Sequence, residues 1–130
     1  MNRREYVPPQ PKTWSYELPG GFTAYAGKTD ADNDLLSLRF AKPEDVWFHV
    51  KGMSGSHVVL RVEGQEPDRD TLRAAAAIAA YHSKARGGGS VAVNWTLAKN
   101  VSKPKGAKAG TVTIRREAVI KVKPAVPEGA

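Results

Sequence analysis

The sequence predicts an α+β domain: a mostly antiparallel sheet packed against one main alanine-rich helix, plus a short helix. Three observations predict it. Two adjoining runs, Val46 to Lys51 and His57 to Val62, alternate as strands do; an aromatic-rich pair punctuated by a turn precedes them; and one long alanine-rich segment follows Asp68. A chain of 130 residues has the size of a single domain, able to bury roughly two thirds of its unfolded surface. With 41% hydrophobic and 25% charged residues, its composition is that of a globular protein.

Residues 1–12 carry Pro8, Pro9 and Pro11 with little apolar content and read as an extended, poorly ordered arm. The domain proper is expected over 13–123, with a Pro/Gly tail over 124–130. Thr13 to Leu18 and Phe22 to Ala26 flank Pro19-Gly20-Gly21, a turn sequence with the φ freedom a hairpin needs. Asp30, Asp32, Asn33 and Asp34 are N-cap candidates ahead of Leu35, Leu36 and Leu38, which predicts a short helix ending before Pro43. In the next strand pair Val46, Phe48 and Val50 share one face with Val58, Leu60 and Val62. If Gly52 to Ser56 forms a five-residue loop, Trp47, His49 and Lys51 share the other face with His57 and Arg61.

Asp68, Asp70 and Thr71 are cap formers ahead of the main helix, predicted to run to Arg86. Its Leu72, Ala76, Ala79 and Ser83 stack on one side, a small stripe that lets the helix lie close to a sheet. Gly87-Gly88-Gly89 reads as a C-cap and turn rather than a phosphate loop, because no GxGxxG or Gly-Lys-Ser/Thr opens a helix here. Ser90 to Thr96 follows as a strand, then a cationic loop over 97–110, then a final strand pair, Thr111 to Arg115 with Ala118 to Lys123.

Charge is unevenly placed. Residues 1–80 hold ten Lys/Arg against eleven Asp/Glu, whereas 81–123 hold ten against Glu117 alone, within a net charge of +7. A surface that merely solubilises mixes both signs, so this excess points to a polyanion, most commonly nucleic acid. The absence of cysteine excludes disulfides and thiolate metal sites and fits a cytoplasmic home. No run approaches the ~18 apolar residues of a membrane span, so no membrane partner is expected.

RNA binding needs cations to replace counterions along phosphates and flat side chains on which unpaired bases stack. Trp47, His49, Lys51, Ser56, His57 and Arg61 supply one candidate patch; Lys84, Arg86, Lys99, Lys103, Lys105 and Lys108 form the phosphate-facing set. Trp95, on a strand with Val91 and Val93, reads as core, and His82 as facing water or filling a gap beside the helix. The histidines with Lys51 also permit a His-dependent RNA-processing enzyme, although no carboxylate is in evidence to orient an imidazole. No metal site is expected, because His49 and His57 match no common ligand spacing, and no cofactor is expected either.

Five blocks in order carry a family resemblance: Tyr25-Ala26-Gly27-Lys28 with Asn33-Asp34, Trp47-Phe48-His49-Val50, Gly55-Ser56-His57-Val58-Val59, Ala79 to Arg86, and Lys99 to Gly106. Together they resemble the NFACT-R domain, the RNA-binding domain of the NFACT ribosome quality-control proteins, also called fibronectin-binding-protein-A-like, here in free-standing form. The resemblance implies an α+β module contacting tRNA or rRNA, with the large ribosomal subunit as partner. Docking on a ribosomal protein is a further alternative. The sequence departs from the family's pattern at Ser54 and Ala109, where that pattern has proline, and at Asn94-Trp95-Thr96.

Overall fold

A computed structural model describes residues 8–129; the first seven residues of the expected arm and Ala130 lie outside the described residues. The fold is α+β as predicted. Strands β1 (Thr13–Leu18) and β2 (Phe22–Gly27) form the first hairpin, with positive φ at both turn glycines, Gly20 and Gly21. The arm's last residue is already tied down: the Lys12 amide donates to the Asp32 carboxylate, and its carbonyl accepts from the Lys28 amide. Helix α1 (Asp30–Leu35) continues as one π turn, Leu36–Phe40. Its N-cap is Thr29, not one of the acids, because the Asp32 carboxylate is taken by the Lys12 amide and the Thr29 hydroxyl.

Strands β3 (Val46–Val50) and β4 (Val58–Arg61) pair with Trp47 opposite Val59 and Phe48 opposite Val58. This register is two residues off the five-residue-loop expectation. A shift of two preserves side-chain parity, so the predicted division into faces stands. Helix α2 (Arg69–Tyr81) is capped by Asp68, which accepts from the Thr71 amide. It stops five residues before Arg86. The Ser83 hydroxyl bonds the Ala80 carbonyl and the Ala85 amide, diverting the chain into turns, so the triple glycine is not the C-cap.

Strand β5 (Val91–Leu97) leads through a 3₁₀ turn, Ala98–Asn100, to β6 (Val101–Ser102), β7 (Thr113–Ile114) and β8 (Ala118–Val122). The last two strands do not pair with each other. β7 pairs with β6, whereas β8 joins β5 at the sheet edge, because the chain turns through Arg116 at φ 56° while the Arg115 carbonyl accepts from the Thr96 hydroxyl. The main sheet has order β1-β2-β4-β3-β5-β8, with every pair antiparallel.

One face of this sheet packs on α2. Ala75, Ala76, Ile78, Ala79 and Ala80 are buried against Tyr16, Phe22, Phe48, Leu60 and Val93, with Trp95 and Leu72 partly buried beside them. The inward stripe is therefore broader than Leu72, Ala76, Ala79 and Ser83. The expected tail takes part as well: the Ala125 amide donates to the Ala77 carbonyl, and Val126 packs on the same core.

The opposite face is covered by α1, its π turn and the β6–β7 ribbon, through Leu36, Trp47, Val59 and Val101 with Tyr25, Phe40 and Ile114. A polar relay runs through this second core. The Trp47 indole N–H donates to Ser37 Oγ (2.8 Å), and Ser37 Oγ is 2.8 Å from His57 Nδ1. With that hydroxyl donating to Nδ1, Nε2 carries the ring proton. Asn33 completes the join by accepting from the His57 amide (3.0 Å), and a Cβ on Gly27 would clash with the Asn33 carboxamide oxygen.

Two predictions follow from this packing. Gly27→Ala should push Asn33 away and orphan the His57 amide, lowering stability by about 2 kcal/mol or more in urea unfolding; an unchanged midpoint would contradict the contact. The second concerns pH. Burial, with a smaller contribution from His49, pushes His57 down to about 4, and burial with Arg86 does the same to His82. The unfolded chain, protonating near 6.5, binds protons first, so stability is full above that value and falls as pH drops toward 4, by roughly 3 kcal/mol for His57. Unfolding midpoints at pH 7, 6 and 5 measure it, and a flat profile would mean that His57 is not held neutral.

Candidate nucleic-acid interface

The patch expected from the ring-bearing strand face is mostly covered. Trp47 is 2% exposed and His57 3%, so neither offers a ring face to a base. Arg61 is also committed: its Nε lies 3.0 Å from Asp45, its Nη2 donates to the Phe40 carbonyl, and its guanidinium sits over the Phe40 ring. The physical reason is the second layer. Once α1 and the β6–β7 ribbon cover Val59 and Trp47, the polar groups among them must find partners inside the protein. His49 remains half-buried beside Trp47 and His57, Lys51 is exposed, and the Ser56 hydroxyl donates to the Gly27 carbonyl.

The cations divide in the same way. Lys103 is a pin: its ammonium pairs with Asp34 (3.2 Å) and donates to the carbonyls of Lys108 and Thr111, while the Gly110 amide donates to Asp34. Lys99 pairs with Glu44 at an exposed position, an interaction that water and salt weaken. Lys84, Arg86, Lys105 and Lys108 are exposed, with Arg86 lying over the Tyr81 ring.

Two of these exposed cations, Lys84 and Arg86, border a cleft of about 360 Å³ at one end of the sheet, Arg86 with its Nε donating to the Tyr81 carbonyl. The start of α1, the β3–β4 connection and the turn after α2 meet there. Gly55 bridges to Ser83 so closely that a Cβ would lie 2.7 Å from the Ser83 Cβ, and the Lys84 amide donates to the Ser54 carbonyl. Lys28, Lys84 and Arg86 line the cleft, with Asp30 as the single acid among the described residues there.

Trp14 forms another wall. It is 39% exposed and stacks on His82 with ring centres 4.2 Å apart, while the Lys28 ammonium stands 5.3 Å from its centroid. His82 is held in place for this. Arg86 approaches its Nδ1, leaving Nε2 to donate to the Tyr16 hydroxyl (2.6 Å), so the ring fills a gap beside the helix end. Trp14 and Lys28 were absent from the predicted set. Their signal lay in the first hairpin, where Trp14 pairs with Ala26 of the block ending in Lys28.

Free cations beside an exposed indole can hold phosphates and stack a base. Acid–base chemistry is less well served. His57 is 3% exposed with Nδ1 engaged by Ser37, burial lowers His49, and among the described residues no three His, Asp or Glu side chains cluster to hold a metal ion.

Residues 12–116 match a family model described as the NFACT protein RNA binding domain. The chain is 41% identical over 94% of its length to the Rqc2 homolog RqcH of Bacillus subtilis, and 38% identical over 93% to that of Streptococcus suis; it spans 21% and 22% of those proteins. Among solved structures, the C-terminal part of the fibronectin/fibrinogen-binding protein from Streptococcus suis superposes with a TM-score of 0.82 at 35% identity, covering 92% of this chain and 47% of that one. Three of the five motif blocks converge on the cleft just described, and the chain belongs to the NFACT RNA-binding domain family.

Proposed function

We propose that this chain is a non-catalytic RNA-binding module that works in the cytoplasm on the large ribosomal subunit, contacting tRNA or rRNA in ribosome-associated quality control. The observation that carries this reading is the cleft, where Lys28, Lys84 and Arg86 surround a stacked, half-exposed tryptophan. Lys105 and Lys108 extend the cationic surface along a loop that docks on α1 through Asp34, and Asp30 of the same helix lines the cleft. The ribosomal setting rests on the relatives named Rqc2 homolog RqcH, of which this chain matches about a fifth. A non-catalytic role fits His57 and His82, whose depressed basicity comes chiefly from burial and which already bond to Ser37 and to Tyr16. No helix among the described residues is long and apolar enough to cross a membrane.

If about five phosphates are neutralised, affinity for RNA should fall with salt at a log–log slope of about −3.5 to −4.5. A flat dependence overturns the reading. Replacing Lys28, Lys84 and Arg86 by Ala should weaken binding of all sequences alike and make that slope shallower by roughly 2 to 3. Trp14→Ala should cost roughly tenfold through lost stacking, with unchanged circular dichroism. Equal affinity of this variant and the parent protein would remove the indole from the interface.

A further inference from the structure

The second sheet face is covered only in part. Its cover of α1, π turn and short ribbon lies over Trp47 and Val59, and toward β8 the sheet is open. Strand pairing sets one row across that open part, His49 beside Asn94 beside Val119; in a second row next to it Lys51, whose amide donates to the Ala92 carbonyl just past the end of β3, stands beside Ala92 and Lys121. The intervening residues Val50, Val93, Ile120 and Val122 point into the α2 core, so both rows face outward.

These groups lack partners that would account for them. Lys51 and Lys121 are exposed, and among the described residues neither ammonium pairs with a carboxylate. The Asn94 carboxamide is half-buried, yet it makes no hydrogen bond among the described residues. Val119 is 48% exposed beside it. Guarding the edge strand against association accounts for Lys121 alone. It does not account for Lys51, which directly follows the interior strand β3, or for an amide with both donor and acceptor to spare.

We infer that this open strip is a second contact surface for single-stranded RNA, continuous with the cleft around the β3–β4 connection. The continuity is structural. Gly55 and Ser56 line the cleft, and Lys51 leaves β3 into the connection that carries them. Chemically, Lys51 and Lys121 flank the path of a phosphate chain, the Asn94 carboxamide suits the donor–acceptor edge of an unpaired base, and Val119 gives that base an apolar rest. A flat strip reads splayed bases. It does not fit the wall of a duplex, whose base edges lie deep in the groove.

This inference rests on the RNA-binding reading, and its test separates the two. The full chain is titrated with a labelled oligouridylate of roughly twelve nucleotides and with an RNA duplex of similar length. Lys51→Ala with Lys121→Ala should weaken oligouridylate binding about tenfold and make the salt slope shallower by roughly one to two. Arg69→Ala, which removes a charge from the exposed start of α2, should change affinity less than twofold. Asn94→Ala should weaken the single strand severalfold and leave the duplex unaffected. No binding of either RNA by the parent chain overturns both readings. Loss in the Lys28/Lys84/Arg86 variant with none in the Lys51/Lys121 and Asn94 variants overturns the strip alone, as does an Asn94→Ala loss of equal size for single strand and duplex.

Discussion

The second layer depends on one buried relay, from the Trp47 indole through the Ser37 hydroxyl to the His57 imidazole. It joins β3, the π turn and the residue that leads into β4. Each of the three side chains is buried enough that leaving it unpaired would cost about 1–3 kcal/mol, so the relay holds as a set or not at all. The cationic loop is tied to the same layer through Asp34, which accepts from the Gly110 amide and pairs with Lys103. Where Lys105 and Lys108 sit is therefore fixed by contacts that their loop neighbours make with α1.

The two faces of the sheet are stabilised by different means. Against α2 the work is done by shape: alanines remove side-chain bulk, the helix lies close, and Phe48, Leu60 and Val93 fill the space. Against α1 it is done by pairing. Asp45, nearly inaccessible, accepts from Arg61 and from the amides of Lys42 and Val62, and Asn33 accepts from His57. A polar core of this kind fixes geometry more sharply than an apolar one, since each donor tolerates only a narrow range of positions. That precision is what a neighbouring binding surface needs.

Much of the fold was legible because local signals agreed with one another. The alternation of Val46 to Val50 and Val58 to Arg61, the turn at Pro19-Gly20-Gly21, and Asp68 ahead of the alanines each point to the element that forms. The misses came where a distant contact overrode a local pattern. The bridge from Gly55 to Ser83 ends α2 early, and Asn100 with Thr96 captures Arg115, so that β7 turns toward β6 instead of β8. The site was harder to read for the same reason. Trp47, His57, Arg61 and Lys103 have the residue types of an RNA patch, but their partners, Ser37, Asp45 and Asp34, lie 10 to 69 positions away. Trp14 was missed for the converse reason: it shares strand parity with the buried Tyr16 and Leu18, yet lies beyond the end of α2, where His82 stacks on it and 39% of its surface stays exposed.

Strongly shifted histidines often mark catalytic sites, because burial and charge are how enzymes tune a proton carrier. In this chain the same shifts have a structural origin. A general base needs a free lone pair facing a substrate, and His57 has Ser37 on Nδ1 and only 3% of its surface exposed, behind the second layer. His82 is spent on Tyr16 and Arg86 while its ring face supports Trp14. Its neutrality serves that support: an imidazolium would repel both Arg86 and the Lys28 ammonium poised at the same indole. The low basicity of His82 thus follows from its burial beside Tyr16 and from the Arg86 guanidinium, in the same packing that supports Trp14.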